Sequence, residues 1–171
     1  MKRIFIILIL AAFVGNSYAQ NDAVLDKGHF LVSVGVGFPK DGIPGELSIT
    51  YGTLDNLFGF QNLRFGVEFI GSLTFFSPNS NSNVVVGGGP NIYYTLFDHF
   101  DLFAGFNAGW SADQYIDKMG STATPNYDAS DFFHYFVNVG VRYSITDNFG
   151  IYARGNYSKI SFGAAGLYLK W

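Results

Sequence analysis

From Phe30 onward apolar residues recur at every second position, the spacing of a strand whose two faces meet different surroundings, and helical spacing is hard to find anywhere. Phe30, Val32, Val34, Val36 and Phe38 form one apolar face, while Leu31, Ser33, Gly35 and Gly37 form a mostly small one. Leu47, Ile49 and Tyr51 alternate with Glu46, Ser48 and Thr50, and Leu63, Phe65, Val67, Phe69, Leu73 and Phe75 with Arg64, Gly66, Glu68, Ser72 and Thr74. A fourth segment from Val84 to Leu96 is interrupted by Gly87-Gly88-Gly89-Pro90, which suggests a bulge or bend. A fifth runs from Leu102 to Ser111, and a sixth sets Phe133, Tyr135, Val137, Val139, Val141 and Tyr143 against His134, Phe136, Asn138, Gly140, Arg142 and Ser144. Phe149, Ile151 and Ala153 begin a seventh, and Leu167, Leu169 and Trp171 facing away from Tyr168 and Lys170 end an eighth. The pattern predicts an all-β chain, an eight-stranded antiparallel up-and-down transmembrane β-barrel, the even strand number suiting single-chain bacterial barrels.

Connections of two kinds alternate. Pro39 to Gly45, Ser77 to Asn83 and Ala112 to Ser130 are rich in Pro, Asn, Ser, Asp and Gly. Between them fall short turns on one theme, Leu54-Asp55-Asn56-Leu57, Phe97-Asp98-His99-Phe100 and Thr146-Asp147-Asn148-Phe149, the chemistry of tight turns. Such alternation is the asymmetry expected between periplasmic turns and extracellular loops.

Ahead of the strands, Lys2 and Arg3 precede an apolar run from Ile4 to Val14, and Ser17-Tyr18-Ala19 supplies small residues at the −3 and −1 positions of a cleavage site. Residues 1–19 read as a cleaved secretory signal peptide, because a run of 11 residues falls short of the ~20 that span a bilayer as a helix. The barrel domain is then residues 20–171. Losing Lys2 and Arg3 leaves the exported chain more acidic than the net charge of −3 carried by all 171 residues, and no basic footprint for nucleic acid exists. The absence of Cys excludes a disulfide framework, a thiol metal site and a lipid anchor on cysteine.

Charge decides which face is outside. Only 13% of the chain is charged while 19% is aromatic, too few charges for a water-exposed β surface. All eleven Asp residues are assigned to turns, loops or the N-terminal segment, and both Glu residues to strands. The polar faces therefore suit a narrow lumen and the apolar faces lipid. Six charges point inward by parity: Glu46, Arg64, Glu68, Arg142, Arg154 and Lys170. Counting along the strands places Glu68 and Arg154 at mid-height on opposite walls, positioned to bridge the lumen, and places Arg64, Arg142 and Lys170 toward the periplasmic mouth, within reach of water. Phe103, Phe136, Tyr152, Phe162 and Tyr168 are large and inward by parity, so no open pore is expected. Phe65, Tyr94, Trp110, Phe133, Tyr143, Phe149 and Trp171 have outward parity, many near strand ends where interfacial aromatic belts form.

The final segment, Leu167-Tyr168-Leu169-Lys170-Trp171, alternates and closes on an aromatic. With the signal peptide and eight strands, the chain resembles the small OmpX/OmpA-type outer membrane barrels. That resemblance implies an outer membrane location in a Gram-negative cell, surroundings of membrane lipid and lipopolysaccharide, a monomer, and Tyr168, Leu169 and Trp171 as the signal read by the barrel-assembly machinery. No segment corresponds to a peptidoglycan-binding domain.

Chemistry is sparse. His29 and His99 fall at a strand start and a turn, leaving His134 as the one histidine near the outer rim. Lipid A deacylases, barrels of similar size, carry Ser two residues after the catalytic His, where this chain has Phe136. Three scattered His residues offer no ligand spacing, and Gly87-Gly88-Gly89 lacks the following helix of a phosphate cradle. No catalytic, cofactor-binding or metal residue is assigned. The loop from Ala112 to Ser130, with Tyr115, Asp117, Tyr127 and Asp128, is the candidate for recognising an external ligand. The sequence thus reads as a non-enzymatic barrel with a structural or surface-interaction role, its alternatives being a lipid A-modifying enzyme and a soluble lipocalin-like periplasmic barrel.

Overall fold

The computed structural model describes residues 23–39, 43–75, 81–115, 133–157 and 161–171. Eight strands, β1 (Phe30–Pro39), β2 (Ile43–Leu54), β3 (Leu63–Phe75), β4 (Asn81–Phe97), β5 (Phe100–Tyr115), β6 (Phe133–Thr146), β7 (Phe149–Tyr157) and β8 (Ser161–Lys170), close into one antiparallel barrel in sequence order. The seam pairs Leu31 with Lys170 and Gly35 with Gly166, so every strand has two neighbours and the apolar exterior carries no open sheet edge along the wall.

Strand parity sorts the residues into two solvents. Leu47, Phe69, Phe106, Val139 and Trp171 lie on the exposed exterior, whereas Ser48, Glu68, Asn107, Asn138 and Arg142 are buried in the lumen. A narrow barrel must bend its strands sharply, and glycines facing inward admit that bend while aromatic rings fill the space they leave. A Cβ on Gly66 would lie 3.2 Å from the Tyr93 ring, one on Gly35 3.1 Å from Cζ of Tyr152, and one on Gly140 2.5 Å from Cζ of Phe103. The Tyr168 ring covers Gly150 in the same way.

Termini and short turns share one end of the barrel. Two of its connections are tight, Asp98-His99 and Asp147-Asn148, and the third carries a 3-10 turn, Leu57–Gly59, in which Asn56, Phe58 and Gly59 all have positive φ.

Four expectations need correction. The Gly87-Gly88-Gly89-Pro90 run makes no bulge: β3 pairs with β4 without a shift from Tyr94 to Val84, and the β4–β5 ladder omits only Gly89 and Pro90 before resuming in register. Pro90 has no N–H to donate, so it interrupts hydrogen bonding on one side without moving the strand. Strands at the loop end begin earlier and run later than the pattern suggests, β2 from Ile43, β4 from Asn81 and β8 from Ser161, with β5 reaching Tyr115. Phe162 does not fill the lumen: the β1–β8 register shifts between Phe38 and Pro39, and Phe162 is 63% exposed at that rim. Finally, Asp101 and Asp113 belong to β5, not to connections. Residues 1–19, assigned to the signal peptide, lie outside the described residues.

Candidate functional site

The chemistry of this barrel is inside it. At mid-height Glu46 on β2 and Glu68 on β3 face Arg154 on β7 across the lumen. Arg154 Nη1 donates to Glu68 Oε1 at 3.0 Å and Nε to Glu46 Oε2 at 3.2 Å, while Nη2 faces Glu46 Oε1. Tyr152 donates its hydroxyl to Glu46 Oε1 at 2.8 Å, and Asn91 Nδ2 donates to Glu68 Oε2 at 3.0 Å. All of these side chains are buried, so each carboxylate is held by a cation and by neutral donors, the condition under which buried ions are tolerated.

Arg142 belongs to this cluster rather than to a watery mouth. Parity placed it inward, but counting residues along β6 ignores how far a guanidinium reaches. Its Nη2 donates to Thr50 Oγ1 at 3.1 Å and approaches Glu68 Oε1 at 3.8 Å, with the side chain only 1% exposed. Its Cζ lies 5.1 Å from the Tyr93 ring centre and 4.8 Å from that of Phe103, so two π faces replace part of the lost hydration.

Nearer the turn end Arg64 and Lys170 find acidic partners that parity could not supply. Arg64 Nη1 donates to Thr95 Oγ1 at 2.6 Å, and its Nε lies 3.4 Å from Asp26 and 3.6 Å from Asp55. Lys170 Nζ contacts Asp26 Oδ2 at 2.9 Å. Thr95 in turn donates to Asp101 Oδ1 at 2.7 Å. Asp101, fully buried, is a seventh inward charge that the sequence reading missed. Its place three residues after the turn aspartate Asp98 made it look like turn chemistry, although even-odd counting back from Phe103 would have found it.

A second omission is larger. Residues 23–28, before the first strand, fold into the barrel mouth. Ala23, Val24 and Leu25 are buried, and Val24 and Leu25 join Leu31, Tyr93, Phe103, Tyr152 and Tyr168 in one apolar cluster. A six-residue stretch without periodicity offers no sequence signal for such a position.

The assigned assembly residues divide by face. Tyr168 is buried and shares a 2.7 Å hydrogen bond with Ser144, whereas Leu169 and Trp171 are exposed on the exterior. Trp171 and Phe30 exchange backbone hydrogen bonds of 2.9 Å, which fastens the last residue to the first strand. Of the loop candidates, Tyr115 ends β5, and Asp117, Tyr127 and Asp128 lie outside the described residues. His134 sits in β6 opposite Gly109. No group of three His, Cys, Asp or Glu side chains able to hold a metal occurs among the described residues.

No protein-family model and no curated protein matches this sequence. Among solved structures the chain is similar to Neisserial surface protein A, with 14% identity and a TM-score of 0.53 over 84% of this chain and 96% of that one. It is also similar to Ail, the attachment invasion locus protein of Yersinia pestis, solved with the heparin analogue sucrose octasulfate, with 15% identity and a TM-score of 0.54 over 84% and 96%. A de novo designed transmembrane β-barrel matches with 14% identity and a TM-score of 0.55 over 85% and 98%. The chain therefore has the fold of the small eight-stranded outer membrane barrels.

Proposed function

We propose that this barrel resides in the outer membrane, signal peptide removed, as a monomeric surface-interaction protein without an open pore or an enzymatic site. One observation carries the surface role. Pairing of β3 with β4 ends at Leu73 and Val84 although β3 runs on to Phe75, and β4 and β5 continue together to Asn81 and Tyr115. The β4–β5 ribbon thus rises beyond its pairing with β3 at the loop end, leading into the segment with Asp117, Tyr127 and Asp128. Strand edges freed in this way can add a partner's strand through backbone hydrogen bonds.

The lumen supports the same reading. Its mid-height carboxylates are engaged by arginines, an arrangement suited to stability rather than to a free base or nucleophile. The surroundings would be outer membrane lipid and lipopolysaccharide, and Tyr168, Leu169 and Trp171 would be presented to the barrel-assembly machinery during insertion. The sulfated ligand of Ail does not transfer: residues 111–132 contain Asp113, Asp117, Asp128 and Asp131 but only Lys118 as a base, which would repel a polyanion.

The test compares cells carrying the natural chain with cells in which residues 114–130 are replaced by a Gly-Asn turn. Both proteins should sediment with the outer membrane and shift on gels between unheated and boiled samples. Attachment to epithelial monolayers should fall only for the shortened protein. Steady channels from pure protein in planar bilayers, or a change in lipid A mass that depends on His134, would overturn the proposal.

A further inference from the structure

We propose that the mouth at the turn end is a peptide receptacle, a site for a short extended chain with an apolar-apolar-acidic order, and that Val24-Leu25-Asp26 is its resident and releasable occupant.

The seat is built by the strands, not by the segment. The cross-strand neighbours Gly52 and Gly66 lack side chains where Leu25 lies: a Cβ on Gly66 would meet Leu25 Cδ2 at 3.2 Å, and one on Gly52 would meet Leu25 Cγ at 3.3 Å and the Asp26 carbonyl carbon at 2.8 Å. Above it, the apolar cluster with Leu31, Tyr93 and Phe103 receives Val24 and Leu25. Backbone groups of the occupant are read as well. Leu25 N–H donates to Asp101 Oδ2 at 3.3 Å, Lys170 Nζ donates to the Ala23 carbonyl at 3.3 Å, and Gly28 N–H donates to the Gly52 carbonyl at 2.8 Å. The acidic position is specified by Arg64 and Lys170, at 3.4 and 2.9 Å from the Asp26 carboxylate.

Charge explains why that position must be acidic. Strand residues turned inward and described above comprise the acids Glu46, Glu68 and Asp101 against the bases Arg64, Arg142, Arg154 and Lys170. Glu46 and Glu68 are taken by the mid-height arginines, and Asp101 accepts from Thr95 and Leu25. Among the described residues Lys170 has no strand carboxylate, and Arg64 keeps only the turn carboxylate of Asp55 at 3.6 Å, so a free mouth presents an unpaired ammonium beside a guanidinium to any arriving acid. Because the contacts come from β3, β5 and β8, the seat exists only in the closed barrel, and the segment docks after closure.

Release and recapture can be read by cysteine labelling, since the natural chain has no Cys. Leu31→Cys, placed in the full chain behind the segment, should react slowly with a membrane-impermeant maleimide. Adding Leu25→Gly and Asp26→Ala should raise the rate at least tenfold with the heat shift on gels retained. A synthetic peptide with the sequence of residues 23–28 should slow labelling again, and the same peptide carrying D26N should not. Asp26→Asn alone, which keeps side-chain shape, serves if the double variant fails the heat-shift control. Labelling unaffected by these substitutions, or a released mouth that ignores the acidic peptide, would overturn the proposal.

Discussion

Glu68 offers the sharpest test of how the lumen is held together. Among the described residues its carboxylate is the single one within ion-pair distance of Arg142, at 3.8 Å, and it shares Arg154 with Glu46. Glu68→Gln keeps the side-chain shape and one acceptor for Arg154 or Asn91, but leaves the Arg142 guanidinium buried with a hydroxyl and two ring faces. Breaking a buried pair by removing one partner costs about 3–5 kcal/mol, and the retained hydrogen bond returns about 1 kcal/mol, giving a net loss of about 2–4 kcal/mol. With a urea dependence of about 2 kcal/mol per molar, the unfolding midpoint in lipid vesicles, read by the gel shift, should fall by about 1–2 M. Glu46→Gln should cost less, because Arg154 keeps Glu68 at 3.0 Å. The double variant Glu68→Gln with Arg142→Met should recover part of the loss, since no buried cation is then left unpaired. An unchanged midpoint for Glu68→Gln, or additive costs in the double variant, would refute the account.

Three further outcomes follow from local geometry. Gly105→Ala would place its Cβ on the Asn91 amide oxygen and 2.9 Å from Asn138 Oδ1, so it should displace the amide from Glu68 and lower stability by about 2 kcal/mol in the same urea titration. Phe58 has φ of 55° and is 84% exposed, so Phe58→Gly should raise stability by about 1 kcal/mol by relieving a left-handed residue; a lowered midpoint would show that the ring is anchored. Asn107 is buried with neither amide atom hydrogen-bonded within the protein, and Asn107→Leu should raise the midpoint by an amount worth about 1 kcal/mol, a fall pointing instead to ordered water on that wall.

Period two made the barrel legible because lipid and lumen impose opposite demands on alternate residues. The sixth strand is the clearest instance: Val137, Val139 and Tyr143 lie on the exposed exterior while Phe136, Asn138 and Arg142 are buried. The inward assignment of Glu46, Glu68, Arg142 and Arg154 follows from the same alternation. Strand ends were less legible, since turn-forming residues are also permitted within a strand once neighbouring backbone supplies the hydrogen bonds. Asn81-Ser82-Asn83 has a loop's composition, yet it pairs with Asp113-Gln114-Tyr115.

Parity gives a residue's face and its rough height, but not how far its side chain travels across a lumen or what enters from outside the strands. Arg142 shows the first gap: one face assignment is compatible with a solvated mouth or with Glu68, and the burial of Tyr93 and Phe103 beneath the guanidinium decides for Glu68. Residues 23–28 show the second. At the turn end the strand residues alone, Arg64 and Lys170 against Asp101, leave an excess of one base. Acids from non-strand segments meet it: Asp26 contacts both Arg64 and Lys170, and Asp55 of the turn lies 3.6 Å from Arg64. Charge balance over the inward positions is therefore a signal that parity lacks: applied to a barrel sequence, an uncompensated inward base directs the search to acidic residues flanking the strands at the same end.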